Sequence, residues 1–233
     1  MGGHDMRALY HQDVIDSQFN PVKFLLFLRQ DDVLKIDSER VTFNKNDYLV
    51  KERDYSEYIY FIEEGVVTVE SDERVIDFKA TSEIIGFQDL MDFNNTNFSY
   101  KVFSKNLIAH KFRKIEVIDK VLNTQEGYLY HYHCINREMQ ELQIKEVLLR
   151  KNSIERIKSA LIYLLKKFEK ENQKSIINEF IELPITIDLL AQYVEMNHVT
   201  LYRKLKEMKN QEILYTKKQK IYIDIIALQS SLS

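Results

Sequence analysis

Cysteine is almost absent from this chain: Cys134 is the only one in 233 residues. A single thiol excludes an internal disulfide, and with it a four-thiolate zinc or iron–sulfur site within one chain. Glycine is scarce, at five residues, so most turns must be built from polar side chains. No run of about 18 apolar residues occurs, and no long apolar stretch follows basic residues near the N-terminus. A membrane span and a secretory leader are therefore not expected, and a cytoplasmic protein is. Met1 to Asp5 reads as an added leader ahead of Met6. A glycine-rich phosphate loop, a nucleophile elbow and paired histidines at metal spacing are also missing, which leaves no basis for an enzyme.

What is present is enough for a sizeable core. The chain is 45% hydrophobic, and its length suits two domains. Charge is divided unevenly. Residues 1–150 carry 19 basic and 26 acidic side chains, a balance of −7, whereas residues 151–233 carry 14 and 10, a balance of +4, which together give the net −3. Only the second part would gain from releasing counterions on a polyanion.

The most informative stretch runs from Leu183 to Leu214. Leu190, Ala191 and Val194 share one face of a short helix over residues 188–194, and Glu195, Met196 and Asn197 supply a tight turn. Asn197 is placed to cap a second helix beginning at His198. On that helix Leu201, Leu205 and Met208 recur at the interval that buries one face, leaving His198, Val199, Tyr202, Arg203 and Lys206 on the other. This is the layout of a helix-turn-helix reader of the major groove. His198, Val199, Tyr202 and Arg203 are the candidate base-reading residues, with the Arg203 fork suited to guanine. Asn197, Thr200 and Lys206 are candidates for phosphate contact. Leu214–Thr216, the basic turn Lys217, Lys218, Gln219 and Lys220, and Ile221–Ile223 then read as strand, turn and strand, a wing that adds Lys217, Lys218 and Lys220 to the phosphate set. From His198 to Lys220 there are seven Lys or Arg against two acidic residues.

Ahead of this lies period-two alternation from Val41 to Phe112, carried by Val41, Phe43, Tyr48, Val50, Tyr58, Tyr60, Ile62, Val67 and Val69. In YFIEEGVVTV, Gly65 follows Glu64 where one strand turns into the next. Further strands are expected near residues 74–78, 98–102 and 107–112, giving an antiparallel roll or barrel. From Thr124 to Arg150 the pattern becomes helical. Tyr128, Ile135, Leu142 and Leu149 fall at seven-residue intervals with Tyr132 and Met139 between them, the seam of a coiled coil joining two copies. Asn123 with Glu126 resembles a capping pair at its start. Glu146 interrupts the seam, and Lys145 and Arg150 are expected to pair with it across the dimer. Lys151, Asn152 and Ser153 form the expected hinge, with Ser153 capping the next helix.

The run VTFNKNDYLVKERDYSEYIYFIEEGVVTV resembles the opening of the double-stranded β-roll of the Crp/Fnr superfamily of bacterial transcription regulators, and the resemblance extends through the long helix and winged helix-turn-helix, from Val33 to Leu228. It implies an α+β fold: a β-roll sensory domain, cyclic-nucleotide-binding-like, over residues 1–123, a dimerisation helix over 124–150 and a DNA-binding domain over 151–233. It also implies a homodimer on an imperfect palindrome, more often an activator than a repressor, with RNA polymerase as a partner. The superfamily's base-reading positions fall on His198, Val199 and Arg203. The first two depart from the arginine and glutamate of the cyclic-AMP receptor protein, so its operator does not transfer.

The segment matching the superfamily's nucleotide cassette is IIGFQDLMDFNNTNFSY. Gly86 is kept, but Phe87 or Gln88 stands where the ribose-binding glutamate belongs, and Phe98 precedes Ser99 where arginine is wanted; the nearby cation is Lys101. A buried phosphate without a paired cation is costly, so no cyclic nucleotide or other cofactor is expected. Gly86, Phe87, Gln88, Phe98 and Ser99 remain as an effector pocket for an unnamed ligand. Loss of the ligand residues resembles the PrfA-like branch. His131, His133 and Cys134 pack three metal-ligating side chains into HYHC, but a helix fans them apart and no metal is expected. The alternative to a regulator is a ligand-binding roll whose C-terminal part meets proteins instead of DNA.

Overall fold

The computed structural model describes residues 17–30, 34–90, 95–172, 176–177 and 180–231; the leader expected at Met1 to Asp5 lies outside them. Helix α1 (Pro21–Arg29) opens at Asn20, whose side chain accepts a hydrogen bond from Lys23 N at 3.0 Å. Pro21 takes the first turn, where its missing N–H costs nothing. The helix buries Phe24, Phe27 and Leu28. Sequence reading, which took Val33 as the start of the recognisable fold, missed it.

Eight strands follow: β1 (Glu39–Asn44), β2 (Tyr48–Val50), β3 (Tyr58–Glu64), β4 (Val67–Ser71), β5 (Arg74–Lys79), β6 (Ile84–Ile85), β7 (Ser99–Val102) and β8 (Asn106–Arg113). They form two antiparallel sheets in the orders β1-β8-β3-β6 and β2-β7-β4-β5, with Ile62, Val67, Tyr100, Val102 and Leu107 buried between them. The expected roll is present. One detail differs: β3 and β4 belong to different sheets, so the Glu64–Gly65 turn is a crossing between sheets instead of a hairpin. Gly65 sits at φ +117°, and a Cβ there would lie 2.9 Å from the Asn106 carbonyl oxygen and 2.7 Å from Ser104 Oγ. The crossing therefore requires glycine for both backbone and space.

The chain continues as α2 (Lys114–Leu122), the long α3 (Gln125–Leu149), α4 (Ser153–Lys167), a short α5 (Glu169–Asn172), β9 (Ile176–Ile177), β10 (Phe180–Thr186), α6 (Ile187–Tyr193), α7 (His198–Asn210), β11 (Leu214–Lys217), β12 (Lys220–Ile223) and α8 (Ile225–Ser230). Two caps move by one residue. Thr124, not Asn123, caps α3 by accepting from Gly127 N at 3.1 Å, while the Asn123 amide donates back to Asp119 O. Asn152, not Ser153, caps α4 by accepting from Glu155 N; Ser153 is already helical.

Strand β10 has no counterpart in the sequence reading. Pro184 within it lacks the donor a ladder needs, and the pairing with β12 breaks register between Leu183 and Thr186, where that residue sits. Its alternating Ile181, Leu183 and Ile185 nonetheless place a strand beside the wing, in the order β11-β12-β10-β9.

One core cluster spans the junction. Val66, Val75, Phe78 and Ala80 of the roll pack in it together with Leu148, Ile157, Leu161, Phe168 and the buried residues of α6 and α7. Phe78 is fully buried, its ring 5.6 Å from those of Phe168 and Tyr193. Burying such rings stabilises by about 1.5–3 kcal/mol each, so the C-terminal part is fastened to the roll as well as linked to it.

Candidate nucleic-acid interface

The helix-turn-helix is built as the spacing requires. Leu190, Ala191 and Val194 are buried beneath Leu201, Leu205 and Met208. Glu195 takes the left-handed conformation at φ +49°, which lets the chain reverse in the space of a tight turn. Asn197 caps α7 by accepting from Val199 N at 2.8 Å, so its side chain serves its own helix. His198, Val199, Tyr202, Arg203 and Lys206 are all exposed and Thr200 is half-buried; Val199 reaches 78% exposure although it is apolar.

The wing is a two-residue hairpin. Lys218 and Gln219 both adopt positive φ, 49° and 67°, as a type I′ turn demands, here without glycine. Gln219 ties the wing to the helix-turn-helix: its Oε1 lies 3.1 Å from the Tyr202 hydroxyl, and its carbonyl accepts from Ile187 N. Between helix and wing lies a recess lined by Tyr202, Arg203, Lys206, Lys209 and Thr216. Arg203, Lys206, Lys217 and Lys218 make no ion pair among the described residues. The other basic candidate behaves differently. Lys220 is paired with Glu182 on β10, which neutralises it at the wing base. His198 Nδ1 lies 3.2 Å from Asp188 Oδ1, an exposed pair that is easily opened.

Along α3, Tyr128, Tyr132, Met139 and Leu142 are exposed, Leu142 at 68%, and Ile135 is half-buried. Leu149 departs from this seam and packs against the C-terminal core. Arg150 pairs with Glu146 one turn back in the same helix, and Lys145 turns inward.

That inward face holds what sequence reading missed. Cys134, Glu138, Glu141, Lys145 and Leu148 recur at three-to-four-residue spacing, and they face the roll and α4. Lys79 of β5 pairs with Glu138, Glu141 and Glu83; Lys167 of α4 pairs with Asp77 at 3.1 Å and Glu141 at 3.0 Å. Their side chains are 3% and 5% exposed. Burial works against both lysine charges, yet the surrounding carboxylates outweigh it and hold both pKa values above the ordinary lysine value. Lys145 donates to the carbonyls of Ile76 and Tyr193, with its ammonium 3.6 Å from the Tyr193 ring centroid; burial pulls its pKa down to about 8. Gln192 of α6 accepts from Val75 N of β5 at 3.1 Å, and Arg156 of α4 donates to Val194 O and Lys151 O. The roll, the long helix and the helix-turn-helix therefore meet in one polar joint.

The joint predicts an acid sensitivity. Burial alone would raise the Glu141 carboxyl, but Lys167, Lys79 and Arg137 overcome it and hold the pKa at about 2, against an ordinary 4.5. A depressed carboxylate contributes stability above the unfolded value, and that contribution is lost as pH falls from 4.5 towards 2. Unfolding free energy is expected to drop by roughly 2 kcal/mol from this group over that window, and Glu141→Gln should flatten the slope. An unchanged slope in urea titrations of the variant would contradict the assignment.

The expected effector pocket does not hold together. Phe87 turns into the core beside α1, its ring 4.2 Å from that of Phe24. Gln88 donates to the Tyr100 hydroxyl at 2.8 Å, and Ser99 Oγ accepts from Glu52 N. Gly86 and Phe98 do line a common cavity, with Tyr100 and Lys114, but it measures about 40 Å³, room for about one ordered water. Lys101 lies over the Tyr48 ring. Of the HYHC run, His131 packs edge-on against Phe87 and His133 stacks on Phe19. Burial pushes the Cys134 thiol up to about 12, the opposite of an activated thiolate. No group of three metal-ligating side chains gathers among the described residues, and no described helix is long and apolar enough to cross a membrane.

No protein-family model matches the sequence, and neither does any curated protein. Solved structures do match. FixK2 from Bradyrhizobium japonicum aligns with a TM-score of 0.69 at 14% identity, covering 84% of this chain and 97% of its own. A cyclic nucleotide-binding domain containing protein from Listeria monocytogenes aligns at 0.65 with 20% identity over 88% and 97%. A transcriptional regulator of the CRP family from Thermus thermophilus aligns at 0.66 with 15% identity over 82% and 95%. The expected Crp/Fnr fold is thus the observed one, and these likenesses do not single out a branch within it.

Proposed function

We propose that this chain, with its Crp/Fnr fold, is a homodimeric, sequence-specific DNA-binding transcription regulator acting in the cytoplasm. The observation that carries the reading is the exposed N-terminal half of α7 with the basic wing tip beside it, in a chain that is acidic as a whole. His198, Val199, Tyr202 and Arg203 read base edges; Lys206, Lys217 and Lys218 hold phosphates, helped by Thr200 and the amides at the helix start behind Asn197. Lys220 contributes only once its pair with Glu182 opens. The chain divides into a sensory roll (1–123), a dimerisation helix (124–150) and a reading head (151–233), with residues 151–153 as the hinge. Two copies joined along α3 set the reading helices about 34 Å apart, matching one turn of an imperfect palindrome. Activation, with RNA polymerase as the partner, is the mode that suits this fold.

Selection of bound DNA from a random pool tests the roles. Arg203→Ala is expected to relax preference at one base pair per half-site and to cost about 1–3 kcal/mol, whereas Lys217→Ala should weaken all sequences alike and lower the salt slope by about 1. Identical behaviour of the two variants would overturn the assignment. Absence of DNA binding at physiological salt would instead favour a ligand-binding roll whose C-terminal part meets proteins.

A further inference from the structure

Between α1 and the first half of α3 lies a cavity of about 300 Å³, which takes Ile84 and Phe87 from the cassette segment but none of Gly86, Gln88, Phe98 or Ser99, and which lies apart from the helix-turn-helix. One wall is aromatic. The rings of Phe19 and Phe24 lie 5.2 and 5.3 Å, centroid to centroid, from that of Tyr130, and Phe87 backs Phe24. The opposite wall is polar, formed by Asn136, Arg137 and Gln140 of α3.

Arg137 is the anomaly. Its Nε is sealed from solvent without a hydrogen-bond partner, and no carboxylate lies within ion-pair distance of its guanidinium among the described residues. A guanidinium cannot shed its charge, and a sealed N–H without an acceptor is costly; the side chain as a whole is only half-buried, so the rest of its fork can meet an arriving anion. The nearby carboxylates of Glu138, Glu141 and Glu83 are already committed to Lys79 and Lys167. They limit how much added negative charge the site tolerates, which suits a monoanion better than a phosphate dianion. The planar fork of arginine matches a carboxylate in two parallel hydrogen bonds.

We propose that this cavity binds a small aromatic carboxylate, with its ring against the Phe19, Phe24 and Tyr130 wall and its acid group on Arg137. Tyr132 of the expected dimer seam stands at the rim of the cavity, but the aromatic wall and Arg137 come from one chain, and the test needs neither DNA nor the dimer. Calorimetric titration of the full chain at pH 7 with 3-phenylpropanoate should show one saturable site per chain at millimolar affinity or tighter, with 3-phenylpropanamide at least about tenfold weaker. Arg137→Gln should lose at least about tenfold for the acid and little for the amide, while Arg74→Gln, at an exposed strand end, should match the parent chain. Equal binding of acid and amide by the parent chain, or no saturable binding of the acid, would overturn the proposal even if Arg137→Gln failed to fold. An equal loss in both arginine variants would do the same, because it would indicate a diffuse charge effect.

Discussion

Lys167→Ala is expected to lower the unfolding free energy by about 3–5 kcal/mol, a fall of roughly 6–20 °C in melting temperature for a chain of this size. The side chain is 5% exposed and within 4.0 Å of Asp77, Glu141 and Glu83. Removing the cation leaves buried carboxylates without their partner, which costs far more than an intact pair contributes. The loss should therefore be partly reversible. Lys167→Met combined with Asp77→Asn removes charge of both signs and should recover stability relative to Lys167→Met alone, a non-additivity that a double-mutant cycle reads directly. Urea unfolding of the parent, Lys167→Ala, Lys167→Met, Asp77→Asn and the double variant is the measurement. A Lys167→Ala variant within about 1 kcal/mol of the parent would show that the joint is solvated and does not fasten the reading head.

Leu142→Glu is expected to act in the opposite manner, leaving the fold intact while removing assembly. Leu142 is 68% exposed on α3 and shares its face with Tyr128, Tyr132 and Met139, so within one chain the change meets mostly solvent. In the proposed dimer it would set two carboxylates opposite each other in an apolar seam. The chain should sediment as a monomer at micromolar concentration, with its melting behaviour at low concentration close to that of the dissociated parent. Specific DNA affinity should fall about 100-fold or more, because only one half-site can then be held. A parent chain that is itself monomeric at that concentration, or a variant that keeps full operator affinity, would remove the two-fold arrangement from the proposal.

Much of the architecture was legible because it depends on local periodicity. The three-to-four-residue interval of Leu201, Leu205 and Met208, with Asn197 as cap, is a property of neighbouring residues, and α7 forms where it implies. The period-two alternation from Val41 onwards likewise returns as strands. Shifts of one residue at the caps, Thr124 for Asn123 and Asn152 for Ser153, arise because adjacent capping residues compete and geometry selects between them. Strand β10 was hidden by Pro184, a residue that argues against a central strand and is accommodated by a break in register. The effector pocket was assigned from consecutive residues, but the chain leaves β6 at Ile85 and turns through residues 86–90, which sends Phe87 towards Phe24 and Gln88 towards Tyr100.

The charged joint was less accessible. Glu138, Glu141 and Lys145 sit in phase with Cys134 and Leu148, a buried stripe that the sequence does contain, but surface charge on a long helix is the ordinary expectation. Their burial depends on Asp77 and Lys79, far earlier in the chain, and on Lys167, on the following helix, arriving at the same place. Opposite charges at that range in sequence carry no pattern of their own.

The order of parts, the reading helix and its exposed face were determined by the sequence alone, because hydrophobic spacing and capping act within a few residues. The tertiary structure decided which face of α3 is buried, why Lys145 and Leu149 turn inward, and where Arg137 is left without a partner. Those outcomes depend on desolvation and charge pairing between segments far apart in the chain, energies that exist only once the roll, the long helix and the reading head are in contact.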